Sequence, residues 1–218
     1  AFYEDTVIKT VSLPEGLKTI GERAFDSCSN IEQLNIPSTV RTLGTSSFTH
    51  LKITELTLPE GMKEIPYHCF AYCNKLTDVH LPSTLKKIGG YGFAHCSVLT
   101  NIALPEGLTT IDENAFVDCY SISWDTLPDG IETINYATIN QVNPASGVFT
   151  FSKNVITLKE YAFYNCKEFA FNGYKAPTVP NLRLSKDYTI HIREGATGFN
   201  SKPYRVRSEE RFSRNAET

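Results

Sequence analysis

The chain has 218 residues, and it is short of several things: it has one tryptophan, one methionine and a net charge of only −3. A charge so near balance makes no strong field to recruit nucleic acid or a membrane surface. No apolar run reaches the roughly 18 residues a membrane-spanning helix needs. There is no C-x-x-C pair, H-E-x-x-H, G-x-S-x-G, G-x-G-x-x-G or Walker loop, so the common metal, hydrolase and nucleotide signatures are missing. Gly89-Gly90-Tyr91-Gly92 comes nearest and reads as a turn. No Asn-x-Ser/Thr sequon occurs, so glycosylation gives no sign of a secretory route. The chain opens on Ala1-Phe2-Tyr3 with no signal segment and reads as a processed or excised piece. With 41% hydrophobic residues it can nevertheless bury a core.

What it has is repetition. An apolar-proline pair recurs at Leu13-Pro14, Ile36-Pro37, Leu58-Pro59, Leu81-Pro82, Leu104-Pro105 and Leu127-Pro128, at spacings of 23, 22, 23, 23 and 23. Phe25, Phe48, Phe70, Phe93 and Phe116 follow in register, with Ile139 and Phe163 in that slot in units six and seven. Two further rows are apolar throughout: Leu17, Val40, Met62, Leu85, Leu108, Ile131, Val155, and Ile20, Leu43, Ile65, Ile88, Ile111, Ile134, Leu158. A residue that returns once per turn of a solenoid stacks on its own copy, and stacking gives units that cannot each bury an apolar face one continuous core.

Before each proline lies L-x-x-L-x-L, as in Ile31-x-x-Leu34-x-Ile36 and Leu76-x-x-Val79-x-Leu81. The alternation of a strand points Leu34 and Ile36 inward and Gln33 and Asn35 outward. Proline, lacking a donor, suits the end of the strand. The repeat LPxGLxxIGxxAFxxCxxLxxIxL resembles the BspA-like branch of the leucine-rich repeats, and residues 13–36 and 81–104 match it closely. That resemblance implies a β-rich, right-handed leucine-rich repeat solenoid of about seven coils, with a parallel β-sheet and a C-terminal β cap. It also implies a surface or secreted protein with an adhesion role. The expected organisation is an N-terminal cap or strand over 1–12, the solenoid over 13–174, a degenerate cap over 175–207 and a disordered tail over 208–218.

Cys28, Cys73, Cys96, Cys119 and Cys166 all lie three residues after the Phe slot, and Cys69 lies one before it among small residues. That register predicts buried free thiols rather than disulfides or a metal site. No catalytic residue, metal ligand or cofactor is expected. The outward strand rows are the candidate recognition surface, because folding does not dictate them: Glu55, Asp78, His80, Asn101 and Trp124. Trp124 is an outward anchor if the fifth strand keeps register; if it slips by one, Trp124 is buried and Asp125 exposed. A second candidate patch gathers Tyr67, His68, Tyr72, Tyr91 and His95 around the turns of units three and four. The expected partner is a protein, such as a host or extracellular-matrix protein, or a glycan. Neither nucleic acid nor membrane insertion is expected.

Overall fold

The typical unit makes one coil with two short strands on two faces, joined by tight turns; the fifth unit has one strand and a single bridge at Thr126. The structure, a computed structural model, describes residues 2–139, 141–163, 166–179 and 188–199. Among these no helix occurs and every strand is two to four residues long. In chain order the strands are β1 (Thr10–Val11), β2 (Thr19–Ile20), β3 (Gln33–Leu34), β4 (Thr42–Leu43), β5 (Glu55–Thr57), β6 (Glu64–Ile65), β7 (Asp78–His80) and β8 (Lys87–Ile88). They continue with β9 (Asn101–Ile102), β10 (Thr110–Ile111), β11 (Thr133–Ile134), β12 (Phe149–Phe151), β13 (Thr157–Leu158), β14 (Glu168–Phe171) and β15 (Thr189–Ile192). All pairings are parallel and run from one coil to the next, as in Glu55 opposite Asp78 opposite Asn101. The L-x-x-L-x-L segments build a first face, and the strands that follow each proline turn build a second.

The inward rows make one core. Val40, Met62, Leu85 and Leu108 are fully buried, as are Leu56, Ile65 and Ile88. Phe2, Phe25, Phe48, Phe70, Phe93 and Phe116 stack at centroid distances of 5.5–5.6 Å with nearly parallel planes, the offset arrangement that aromatic quadrupoles favour. Phe2 thus occupies the Phe slot of a preceding coil and β1 pairs with β3, so the repeat reaches into the segment expected to be a cap. At the other end β15 pairs with β14 over four residues, adding a further strand to the first face. The expected 208–218 tail lies outside the described residues.

Cysteine fits its slot for a further reason. The thiols of Cys28, Cys73, Cys96 and Cys119 donate to the carbonyls of Phe2, Phe48, Phe70 and Phe93 in the coil before, at 2.8–3.3 Å. Each therefore fills a small buried space and satisfies a buried acceptor. All six cysteines are free and buried, and burial pushes the thiols of Cys73 and Cys119 up to about 12.

The ladders on both faces are interrupted twice, and each interruption has a local chemical cause. On the second face β4 and β6 do not pair. The N–H groups of Gly44, Gly89 and Asp112 donate across coils to Ile20, Ile65 and Ile88 at 2.7–2.9 Å, but Pro66 holds that slot in the third coil and has no N–H. Also on this face, between β10 and β11, the Asn135 side chain donates to the Ile111 carbonyl at 2.8 Å. On the first face β3 and β5 do not pair. The second coil is one residue short before β5, and the junction is made by Lys52 N–H to the Ile31 carbonyl at 3.0 Å. The fourth interruption follows β9, where the Trp124 indole N–H donates to the Ile102 carbonyl at 2.8 Å. At three of the four seams another N–H takes up a carbonyl that the ladder leaves: that of Lys52, the Asn135 amide or the Trp124 indole.

Two predictions follow from the core. Leu85→Asp puts an unpaired carboxylate in a fully buried row, at a cost of several kcal/mol. The variant should show no cooperative melt by circular dichroism, and a folded variant with wild-type melting temperature would refute the register. The six thiols should resist a thiol reagent near pH 8 in the native protein and all react in denaturant. A mass lowered by disulfide formation would contradict this.

Candidate recognition surface

On the first face the outward side chains of β5, β7 and β9 form a polar row held by its own contacts. Glu55, His80 and Asn101 are exposed and Asp78 is half-buried. Asp78 accepts from the Thr77 hydroxyl and from the Asn101 amide, both at 2.6 Å, and these bonds hold its carboxyl below the usual carboxylate range. His80 lies 3.6 Å from the Glu55 carboxylate. Four of the five residues predicted for this surface are therefore neighbours on three adjacent coils.

The fifth is not where an outward anchor would be. Trp124 is half-buried and packs edge-on against Phe116 at 4.9 Å and 88°. Asp125 is exposed, its carboxylate taking the Ser146 N–H and hydroxyl at 2.8 Å each. The slipped arrangement is the one adopted. Phe116 is the last ring of the unbroken stack, and the next coil carries Ile139 in the Phe slot, so the indole packs where no further ring follows.

Among the described residues two cavities that open on this face lie at interruptions of its ladder. One of about 670 Å³ sits between β3 and β5, lined by Gln33, Asn35, Ile36, Thr54, Glu55 and Thr57. The other, of about 560 Å³, follows β9 and is lined by Leu104, Glu106, Trp124, Thr126, Leu127 and Asp129. Between them lies the continuous block β5–β7–β9 with its polar row. Trp124 thus contributes to the surface as a cavity wall.

The turn-edge patch divides into two clusters. Tyr67, His68 and Tyr91 pack together at centroid distances of 4.5–5.7 Å. Tyr72 instead stacks between His50 and His95, at 4.6 and 4.3 Å, and His95 Nδ1 meets Asp118 at 2.9 Å. Burial pushes the Asp118 carboxyl up, but bonds from Gln141 and Tyr120 and the charge of His95 outweigh it, leaving the group below its usual range. His50, Tyr72, His95 and Asp118 share one slot, two residues past the Phe position, all with left-handed backbone at φ near +60°. They line a groove of about 300 Å³ with Asn74, Ser97 and Tyr120. The sequence reading missed His50, Asp118 and Tyr120; aligning the slot after Phe across coils would have found the first two. Among the described residues no group of three or more His, Cys, Asp or Glu side chains could hold a metal, and no helix is long and apolar enough to cross a membrane.

Parallel strands repeated coil by coil over a stacked Leu/Ile/Phe core define a leucine-rich-repeat solenoid. More narrowly, the chain belongs to the BspA-type leucine-rich-repeat family, whose model matches residues 1–123 and 43–170 in six copies. Among solved structures it resembles a leucine-rich repeat protein from Bacteroides ovatus, with TM-score 0.68 and 19% identity over 88% of this chain and 58% of that one. It also resembles the leucine-rich repeat protein of T. pallidum, with TM-score 0.58 and 25% identity over 69% of this chain and 70% of that one. A leucine-rich cell surface protein from Faecalibacterium prausnitzii aligns with TM-score 0.58 and 20% identity over 90% and 70%. The chain spans 58% of the length of the Bacteroides protein. No functionally curated protein matches it.

The packing of Trp124 makes a prediction of its own. Trp124→Ala should cost about 2–3 kcal/mol in denaturant unfolding, less than the roughly 3–5 kcal/mol of a fully buried aromatic, while Trp124→Phe recovers part of it. Unchanged stability in Trp124→Ala would return the indole to the outer surface.

Proposed function

We propose that this domain is a non-catalytic binding module of a surface or secreted protein, which holds a macromolecular partner on the first strand face. The observation that carries this is the pairing of two cavities with the polar row between them. The row varies from coil to coil while the inward rows stay apolar, and the cavities give the otherwise even face two places for partner side chains to enter. A rigid sheet with polar groups around partly apolar pockets suits protein recognition. The description of the Faecalibacterium relative as a cell surface protein supports the location. The second reading is a spacer with no ligand of its own.

The test is capture with the 218-residue chain against host cell-surface and matrix proteins, followed by affinity measurement for whatever binds. Asp78→Lys should weaken binding at least about tenfold, in a variant that keeps a cooperative melt. Absence of any specific partner favours the spacer. If Asp78→Lys binds normally while changes at Tyr72 and His95 abolish binding, the turn-edge groove is the contact surface instead.

A further inference from the structure

One outward slot of the second face carries charge that neither the fold nor the first-face surface accounts for. The residue after the half-buried Leu17 and the buried Val40, Met62 and Leu85 is Lys18, Arg41, Lys63 and Lys86, so four consecutive coils present a cation in the same slot. All four are exposed. The Arg41 N–H donates to the Lys18 carbonyl at 2.9 Å and the Lys86 N–H to the Lys63 carbonyl at 2.8 Å, with the β4/β6 seam between the two pairs; at about 4.8 Å per coil the row extends roughly 15 Å. The slot itself does not demand cations, since Thr109, Glu132 and Ile156 fill it in coils five to seven. Like charges at this spacing repel, so a row of four works against folding rather than for it.

Neighbouring acids do not neutralise the row by ion pairing. Lys87, one residue past Lys86, is the cation they take: it meets Glu64 at 3.1 Å and Asp112 at 3.2 Å. The Glu60 carboxylate is turned to the next coil, accepting the Ser83 N–H at 2.8 Å and its hydroxyl at 3.1 Å. Two cations of the row are steadied by backbone carbonyls: Arg41 donates to Ser38 and Val40 at 2.7 and 2.8 Å, and Lys86 to Gly107 at 3.0 Å. Each bond leaves other N–H groups of the same cation free to donate.

From this geometry we infer that the Lys18–Arg41–Lys63–Lys86 row docks a linear sulfated polysaccharide, laid along the solenoid axis with successive sulfates meeting successive coils. Charge complementarity identifies a polyanion, and the width of the row selects its kind. Glu15 and Glu60 stand three residues before Lys18 and Lys63, so a duplex nucleic acid or an anionic membrane, both far wider than one side chain, would press its phosphates on these acids. A single-stranded nucleic acid wants aromatic platforms beside the cations, and the neighbouring outward slot holds Thr19, Thr42, Glu64 and Lys87. A single narrow chain of sulfated sugars fits the row.

The probe is a heparin oligosaccharide bound to the full chain at about 50 mM salt, then at rising salt, which weakens polyanion contacts steeply. Wild type should bind, and Lys63→Glu/Lys86→Glu should lose at least about tenfold. Lys75→Glu, an exposed cation elsewhere, should bind like wild type, and all variants should keep the wild-type melt because the slot tolerates Glu132. No binding by wild type, equal loss in Lys75→Glu, or unaltered binding in the double variant would each overturn the assignment. So would binding of duplex DNA or phosphatidylserine vesicles as tightly as heparin.

Discussion

A coil of this chain has an inward face of Leu, Ile, Val, Phe and Cys and nothing of its own to cover it. Each face is covered only by the next coil, so the stacking of like on like is the constraint from which the rest follows. It explains why a phenylalanine returns in one slot until it forms a stack of six rings from Phe2 to Phe116. It explains why the neighbouring slot is so often cysteine: the thiol fits a small buried space and reaches back to the phenylalanine carbonyl of the previous coil. The same constraint frees the outward slots. A side chain that points away from the core can change from coil to coil at little cost to the fold, and there the polar row of the first face and the cation row of the second are found.

Stacking is not uniform, and its faults are chemically specific. Pro66 withdraws one ladder donor, Trp124 and Asn135 answer carbonyls with side chains, and the missing residue before β5 shifts the hydrogen bond to Lys52. These seams divide the solenoid into blocks, of which β5–β7–β9, β6–β8–β10 and β12–β14–β15 each join three strands. The two cavities of the first face coincide with the seams on that face. A perfectly regular array would offer a partner only an even sheet, so the departures from the repeat are what give this surface its relief.

Much of this is legible in the sequence, because a period of 23 residues with six matching positions leaves little freedom in the fold. The rows, the strand segments and the cysteine register are read directly from the spacing, and so is the short second coil. The stretch around Trp124 in the fifth unit is harder. Trp124 and Asp125 compete for one inward position, and alternation alone cannot decide between an indole and a carboxylate displaced by one residue. The decision comes from Phe116 and from the smaller Ile139 beyond it, a contact between different coils. Pro66 is visible as a departure from Gly44 and Gly89, but its effect depends on knowing that this slot donates across coils. The His50–Tyr72–His95 stack is hidden for a similar reason, since it needs the left-handed turn that turns those rings toward one another.

The central claim is that coil-to-coil stacking holds the fold and that the seams set its weak points. Amide hydrogen exchange on the native chain, resolved to short peptides by mass spectrometry, tests this directly. The account predicts slow exchange in the three-stranded blocks β5–β7–β9, β6–β8–β10 and β12–β14–β15, with earlier exchange at the seams around 62–66 and 122–126. Uniform protection along the chain, or greatest protection at the seams, would contradict it.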